Sequence, residues 1–127
     1  MSARHQSRLA VRWSDTDRLG HVNAARYLTF VEDMCAEWFF SVFGDNFVVA
    51  RMELDFLREV PHGTRSVDAV GWVEKLGTSS FTFATEIRRE DGEPAARIRS
   101  VAVVWDADAR RSRPLTAGER AFLQSSE

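Results

Sequence analysis

The chain has 127 residues, of which 44% are hydrophobic and 28% charged, and its formal net charge is -2 at pH 7. This is the composition of one globular domain, and it excludes a disordered or fibrous chain. No apolar run reaches the roughly 18–20 residues needed to cross a bilayer, and the first residues lack the apolar core of a secretory signal. We therefore expect one domain over residues 1–127 in a cytoplasmic protein. Membrane insertion and a nucleic-acid partner are not expected.

Cys35 is the only cysteine, which excludes an intramolecular disulfide and a cysteine-based metal cluster. A chain this short buries a modest core, and a deep cavity inside one copy would compete with that core for volume. A site for a larger substrate is therefore expected in a groove between subunits, which favours an oligomer.

The first predicted elements are a strand and a long helix joined by a polar turn. Alternation from Arg8 to Trp13 predicts the strand, and residues 14–20 form the turn. Asn23 stands where a helix cap belongs, ahead of a helix predicted over 24–43 with Gly44 as its C-terminal cap. Such a helix would be roughly 30 Å long, which is long for so small a domain.

Two aromatic residues, Phe30 and Phe40, fall on the polar side of that helix at 100° per residue. They fit either a second contact surface or aromatic side chains that are partly exposed. The sequence leaves both interpretations open.

After the helix, the hydrophobic period changes from 3.6 to 2, which predicts strands. Four are expected, at residues 50–56, 67–75, 81–88 and 95–105, with turns at 61–63, 77 and 91–92 and a short helix at 116–124. The last strand is apolar on both faces, as a central strand would be. One helix cannot cover both faces of a five-stranded antiparallel sheet, so the apolar side chains on the uncovered face or edge need a second subunit. The pattern therefore predicts an oligomeric α+β protein.

The densest reactive groups are Asp15, Asp17, His21 and Asn23, between the first strand and the helix. A calcium loop starting at Asp15 is excluded, because Leu19 and Arg26 would occupy two ligand positions. This cluster offers one imidazole and two carboxylates, and a single histidine is too few for a zinc site, so no metal is expected.

A serine or cysteine nucleophile is also disfavoured. Cys35 lies on the apolar side of the predicted helix, where a thiol is normally buried and inert. No Gly-x-Ser-x-Gly elbow is present, and the three histidines are scattered, with His5 expected in a mobile terminus and His62 in an exposed turn.

The remaining interpretation is a single carboxylate beside a helix N-terminus. Asp17 would attack an acyl carbon or draw a proton from water, and the amides around residues 20–24 would stabilise an oxyanion. One carboxylate and a few backbone amides suit the hydrolysis of an activated ester better than that of an amide. The structural alternative is that these aspartates only cap the helix or form turns.

The segment VRWSDTDRLGHVNAARYLTFVED, residues 11–33, resembles the start of hotdog-fold thioesterases of the 4-hydroxybenzoyl-CoA thioesterase type. The resemblance continues in MELDFLREVPHGTRSVDAVGWVEKLGTSSFTF and covers nearly the whole chain. It implies one hotdog domain, in which a five-stranded antiparallel sheet wraps around a central helix and two subunits join their sheets edge to edge.

The same resemblance implies hydrolysis of an acyl-CoA or acyl-carrier-protein thioester at the subunit interface, without a metal or another cofactor. It identifies Asp17 as the catalytic carboxylate and makes Asp15 a turn residue. The amides of Gly20, His21, Val22 and Asn23 become the oxyanion donors at the substrate site. His21 orients water or the acyl carbonyl, or else caps the helix, and Asn23 is a cap more than a catalyst. Homodimers, or tetramers made of two dimers, are expected.

Three further features are weighed beside this resemblance. Ser79 and Ser80 open the strand after Gly77, in a segment that lies near the active site of the partner subunit in relatives. Their hydroxyls are therefore substrate-binding candidates, or else ordinary turn hydroxyls. Arg110, Arg111 and Arg113 form a basic cluster that suits CoA phosphates or is simply an exposed tail. The alternative function is a non-catalytic hotdog module that binds acyl groups or supports assembly.

Two subgroups of the same fold fit less well. One branch of thioesterases carries a histidine one position after Asn23, where this chain has Ala24. Hydratases separate their Asp and His by four residues, whereas three lie between Asp17 and His21. The sequence therefore favours a thioesterase of the GHVN branch.

Overall fold

The computed structural model describes residues 3–125. The elements are β1 (Arg4–Ala10), a 3-10 turn (Trp13–Asp15), α1 (Arg26–Phe43), β2 (Phe47–Phe56), β3 (Ser66–Leu76), β4 (Ser80–Arg88), β5 (Pro94–Asp106), β6 (Arg111–Ser112) and α2 (Ala117–Gln124). The main strands follow the order β1-β3-β4-β5-β2, and every pairing is antiparallel. β6 extends the sheet beside the end of β5. The predicted α+β hotdog fold is therefore confirmed.

The core lies between α1 and one face of the sheet. Phe39 of α1 is fully buried and meets Phe81 and Phe83 of β4 edge-on, with ring centroids 5.3 Å away in both pairs. Gly71 of β3 lets the helix approach, because a Cβ there would lie 2.5 Å from a ring carbon of Trp38. Aromatic rings thus fill the space between helix and sheet.

The predicted start of the sheet was misplaced. The first strand is Arg4–Ala10 rather than Arg8–Trp13, and Trp13 belongs to the 3-10 turn with 81% of its surface exposed. His5, expected in a mobile terminus, lies in β1, where its ring stacks on Trp38 at 5.8 Å. The inward side of β1 is built largely from polar residues, so alternating hydrophobicity does not mark it.

The two aromatic residues on the polar side of α1 have different environments. Phe30 is buried, with 2% of its surface exposed, and packs edge-on against Tyr27. Phe40 is 59% exposed. Only Phe40 therefore remains available for contact with another surface.

The outer face of the sheet carries many charged side chains. Arg97 pairs with Glu86 at 2.9 Å, and Arg99 pairs with Glu74 at 2.8 Å. The apolar side chains that one helix cannot cover are expected on this face or at an edge of the sheet, and the charged residues show that this face does not carry them. Exposed apolar side chains lie instead along β2 and the adjoining side of α1, at Phe40, Val48, Val49 and Phe56.

Within residues 3–125, no helix combines the length and apolar character needed to cross a membrane.

Candidate active site

The turn that carries Asp17 is a small hairpin held against the loop after β2. Thr16 pairs with Val22 across the hairpin, and the Asp17 amide donates to the His21 carbonyl at 3.0 Å. Gly20 closes the turn with φ 86°, a left-handed conformation that glycine adopts without strain. The Val22 amide then donates to the Val60 carbonyl at 2.8 Å, which fixes the turn to the body of the protein.

The Asp17 carboxylate is half-buried and only partly engaged. Its Oδ1 accepts a hydrogen bond from the Leu19 amide at 2.9 Å. No residue of the described chain donates to its Oδ2. One oxygen thus holds the side chain in place, while the other remains able to take part in chemistry.

Asp15 has a different environment, with only 1% of its surface exposed. Its Oδ2 accepts from the Arg12 amide at 2.8 Å, and its Oδ1 lies 3.4 Å from the Arg12 guanidinium and 3.7 Å from that of Arg26. Hydrogen-bond donors and positive charges of the protein itself therefore surround the Asp15 carboxylate. This arrangement agrees with a structural role for Asp15 in the turn.

The helix begins two residues later than predicted. Arg26 is its first residue and Ala25 its N-cap, so Asn23 is not the cap. Asn23 instead makes an Asx turn, in which its Oδ1 accepts from the Ala25 amide at 2.9 Å. Its carbonyl accepts from the Arg26 amide at 2.9 Å and leads the chain into the helix.

The amides expected to stabilise an oxyanion are mostly occupied. Those of Gly20, Val22 and Asn23 donate to carbonyls of Asp17, Val60 and Asp15 at 3.1, 2.8 and 2.8 Å. These three amides are therefore not free to bind an oxyanion, which corrects the expectation from the sequence. Among residues 20–24, only the amides of His21 and Ala24 have no acceptor within the described chain.

Ala24 belongs to the range of amides, residues 20–24, that the sequence predicts as oxyanion donors, but the sequence does not single it out. The signal for it was Asn23, because an Asx turn at this position delays the helix and leaves the next amide unpaired.

His21 is half-buried and lines the same cavity as Ala24. Its Nδ1 lies 3.2 Å from the Val22 carbonyl, which can only accept, so we assign the ring proton to Nδ1. This tautomer leaves Nε2 as an acceptor. His21 can thus orient a water molecule or a substrate donor.

Two open cavities lie on the β2 side of α1. The helix-start pocket, about 270 Å³, is lined by His21, Ala24, Tyr27, Phe56, Leu57 and Arg58, among others. The β2 groove, about 460 Å³, is lined by residues that include Cys35, Phe40, Phe47, Val48, Val49 and Met52. Both cavities contain apolar side chains that stay exposed in a single copy.

Ser79 and Ser80 lie far from the Asp17 turn within one chain. Ser80 is level with Val103 of β5, which pairs with Val48 near the start of β2. The helix-start pocket adjoins Phe56 at the other end of β2, about 25 Å away at 3.3 Å per residue. These two serines can meet the Asp17 site only from another subunit.

The other candidates for metal or nucleophilic chemistry remain isolated. In the part of the chain that the structure describes, no group of three or more His, Cys, Asp and Glu side chains could hold a metal ion. Burial, with a smaller contribution from Glu32, raises the pKa of the Cys35 thiol to about 12. A thiol so strongly protonated at neutral pH is a poor nucleophile.

Comparison with solved structures places this architecture among the thioesterases. A thioesterase from Thermus thermophilus, solved in complex with coenzyme A and Zn, matches with a TM-score of 0.86 and 33% identity over 94% of this chain and 97% of that one. A predicted thioesterase from Bacillus stearothermophilus matches with a TM-score of 0.83 and 28% identity over 95% and 94% of the two chains. A candidate acyl-CoA thioesterase from Xanthomonas campestris matches with a TM-score of 0.72 and 28% identity over 81% of this chain and 93% of that one.

The family model described as the thioesterase superfamily matches residues 19–96. No curated protein matches the chain. The hotdog fold and this family match lead to one assignment: the chain belongs to the thioesterase superfamily, and it is a thioester hydrolase. The matched stretch begins two residues after Asp17, so the catalytic assignment depends on the geometry of the turn.

Proposed function

We propose that the protein is an acyl-CoA thioesterase of the 4-hydroxybenzoyl-CoA thioesterase type, with Asp17 as its catalytic carboxylate. One observation carries this proposal: among residues 3–125, no group donates to Asp17 Oδ2, which lies on a turn fixed beside the start of α1, and no group accepts from the Ala24 amide. A carboxylate can supply the nucleophile or base for thioester hydrolysis, and an oxyanion donor stabilises the charge that develops on the carbonyl oxygen. The Asp15 carboxylate is buried and bonded to donors of the protein, so it is not available for this chemistry.

In the proposed reaction, the carbonyl oxygen of the thioester faces the Ala24 amide. Asp17 either adds to the acyl carbon or removes a proton from water that adds to it. The negative charge that develops on the carbonyl oxygen is stabilised by the Ala24 N–H and by the partial positive charge at the start of α1. The carbon–sulfur bond then breaks, and the thiolate leaves. If Asp17 adds directly, water hydrolyses the resulting anhydride and regenerates the carboxylate.

His21 and the two serines take supporting roles in this proposal. With its proton on Nδ1, His21 offers Nε2 to the water that enters the helix-start pocket. Ser79 and Ser80 would contact substrate from the partner subunit. The Gly20, Val22 and Asn23 amides shape the turn rather than bind the oxyanion.

The proposed assembly is a dimer formed through β2. This strand is an edge of the sheet, and the exposed apolar residues of both cavities adjoin it. Two-fold pairing of β2 strands runs antiparallel, so the end at Phe56 meets the partner's end at Phe47. The helix-start pocket of one copy then faces the β2 groove of the other, and together they form an apolar cleft for the acyl group.

Light scattering at micromolar concentration tests this assembly. We expect a mass of at least twice 14.4 kDa. Val49→Lys, which introduces a charge next to the β2 groove, is expected to reduce both association and turnover. A stable monomer of the unaltered chain that hydrolyses thioesters would contradict the interfacial site.

Asp17→Asn tests the catalytic role, with release of the free thiol from a panel of short, medium, long and aromatic acyl-CoAs as the assay. The change keeps the side-chain volume and an oxygen for the Leu19 amide, so fold and assembly should persist. A carboxylate acting as base contributes about 10²–10⁴-fold, so turnover should fall at least about a hundredfold.

The matched control is Asp108→Asn, which makes the same chemical change at an exposed position outside the turn and should keep turnover near that of the unaltered protein. If Asp17→Asn retains more than about a tenth of the activity, the carboxylate mechanism is wrong. If the unaltered protein binds acyl-CoA but hydrolyses neither it nor a carrier-protein thioester, the acyl-binding module becomes the better description.

A further inference from the structure

The Asp17 turn is a hairpin that the loop between β2 and β3 holds in place. Its returning strand, which follows Gly20, is fixed by backbone groups of that loop. The Val22 amide donates to the Val60 carbonyl, and the His62 amide donates to the Gly20 carbonyl, both at 2.8 Å. These two bonds form whatever side chain stands at position 62.

The outgoing strand of the hairpin, which carries Asp17, is reached from the loop through a side chain. The Thr16 hydroxyl oxygen and the His62 Nδ1 lie 3.1 Å apart. In the described part of the chain, this is the only hydrogen bond that joins Thr16 or Asp17 to a residue after position 23. The loop thus contacts the strand that carries Asp17 through the imidazole of His62.

The direction of this bond follows from the other partner of the Thr16 hydroxyl. The hydroxyl donates its proton to the Trp13 carbonyl at 2.7 Å, and a carbonyl can only accept. The Thr16 oxygen is therefore the acceptor toward His62, and we assign a ring proton to the His62 Nδ1. Two consecutive hydrogen bonds thus run from the His62 ring through the Thr16 hydroxyl to the 3-10 turn.

The His62 side chain lies outside the cavity that adjoins the proposed catalytic residue. His62 is exposed, and it does not line the helix-start pocket, to which His21 and Ala24 belong. A role in contact with substrate is therefore not indicated for His62. Its hydrogen bond to Thr16 acts on the position of the next residue, Asp17.

We propose that His62 is a positioning residue of the thioesterase, which keeps Asp17 within reach of the acyl carbon through the Thr16 hydroxyl. This inference rests on the proposed function of Asp17. The Asp17 Oδ1 accepts from the Leu19 amide of the same turn, so the carboxylate moves with the turn. A displacement of about 1 Å in a reacting group can cost about a hundredfold in rate. A bond that restrains the outgoing strand therefore affects turnover.

The test compares His62→Leu with His62→Asn. Leucine and asparagine have nearly the same shape, but only asparagine offers an N–H donor at the δ position, where histidine carries Nδ1. One neutral hydrogen bond corresponds to a factor of about three to ten, so His62→Leu should lower kcat for acyl-CoA hydrolysis by about that factor. KM should stay within about twofold, because His62 does not contact substrate. His62→Asn should keep kcat within about twofold of the unaltered protein.

A double-variant cycle with Thr16→Val tests whether His62 acts through Thr16. Valine removes the hydroxyl and nearly keeps the shape of threonine, so Thr16→Val should lower kcat at least as much as His62→Leu. When the two changes are combined, kcat should be no lower than in Thr16→Val alone, because the bond between the two side chains is already lost.

Four results would each overturn the inference. They are a kcat for His62→Leu within about twofold of the unaltered protein, a rise in its KM in place of the fall in kcat, equal losses of kcat in His62→Asn and His62→Leu, and effects of His62→Leu and Thr16→Val that multiply. A purely structural role gives the first result, with a lower Tm but an unchanged kcat for the folded protein. The proposed function fails separately, if the unaltered protein hydrolyses no thioester or if Asp17→Asn retains its activity.

Discussion

Replacement of Asp15 by asparagine should distinguish the structural aspartate of the turn from Asp17, the proposed catalytic residue. The change preserves volume but removes a charge whose oxygens meet the Arg12 amide at 2.8 Å and two guanidinium groups at 3.4 and 3.7 Å. A hydrogen bond to a charged group contributes about 1.5–3 kcal/mol and a neutral one about 0.5–1.5, so the amide loses about 1 kcal/mol here. The two arginines are largely exposed and add about 0.5 kcal/mol or less each.

The expected loss of stability is thus about 1–2 kcal/mol, or about 4–8 °C in Tm for a domain of this size. Urea denaturation and thermal scans measure it. At a temperature where the variant remains folded, thioester hydrolysis should stay within about threefold of the unaltered protein, because the Asp15 carboxylate is buried and contacts only groups of the protein.

Asp17→Asn should show the opposite pattern, with its Tm nearly unchanged and its turnover lost. The assignment is refuted if Asp15→Asn leaves Tm within about 1 °C, or if the folded variant is as inactive as Asp17→Asn.

Two further predictions concern stability. Gly71→Ala should cost about 1–3 kcal/mol in urea denaturation, because its Cβ would lie 2.5 Å from Trp38, whereas Gly118→Ala in α2, with nothing closer than 4.0 Å, should be neutral or stabilising. Hydrogen bonds from Arg113 hold the pKa of Glu119 below its ordinary value, so the stability that Glu119 contributes is present at neutral pH and is lost as pH falls through its folded pKa. Glu119→Gln should therefore lower Tm at pH 7, and the difference from the unaltered protein should disappear near pH 3.

The sequence predicts the middle of the fold better than its edges. Between residues 50 and 105, the inward positions of the strands are filled by hydrophobic residues such as Met52, Phe83 and Ile98. The alternation of hydrophobic and polar residues therefore identifies these strands. At β1, the inward positions include His5 and Ser7, and the predicted strand therefore shifted toward apolar Val11 and Trp13.

The site shows a comparable limit. The spacing of Asp15, Asp17 and His21 marks the turn, but it does not reveal which amides are free. That property depends on bonds between distant parts of the chain, such as the one from Val22 to Val60, 38 positions later. The proposed two-fold pairing through β2 likewise depends on where the exposed apolar residues lie on the sheet edge, which the sequence pattern does not reveal.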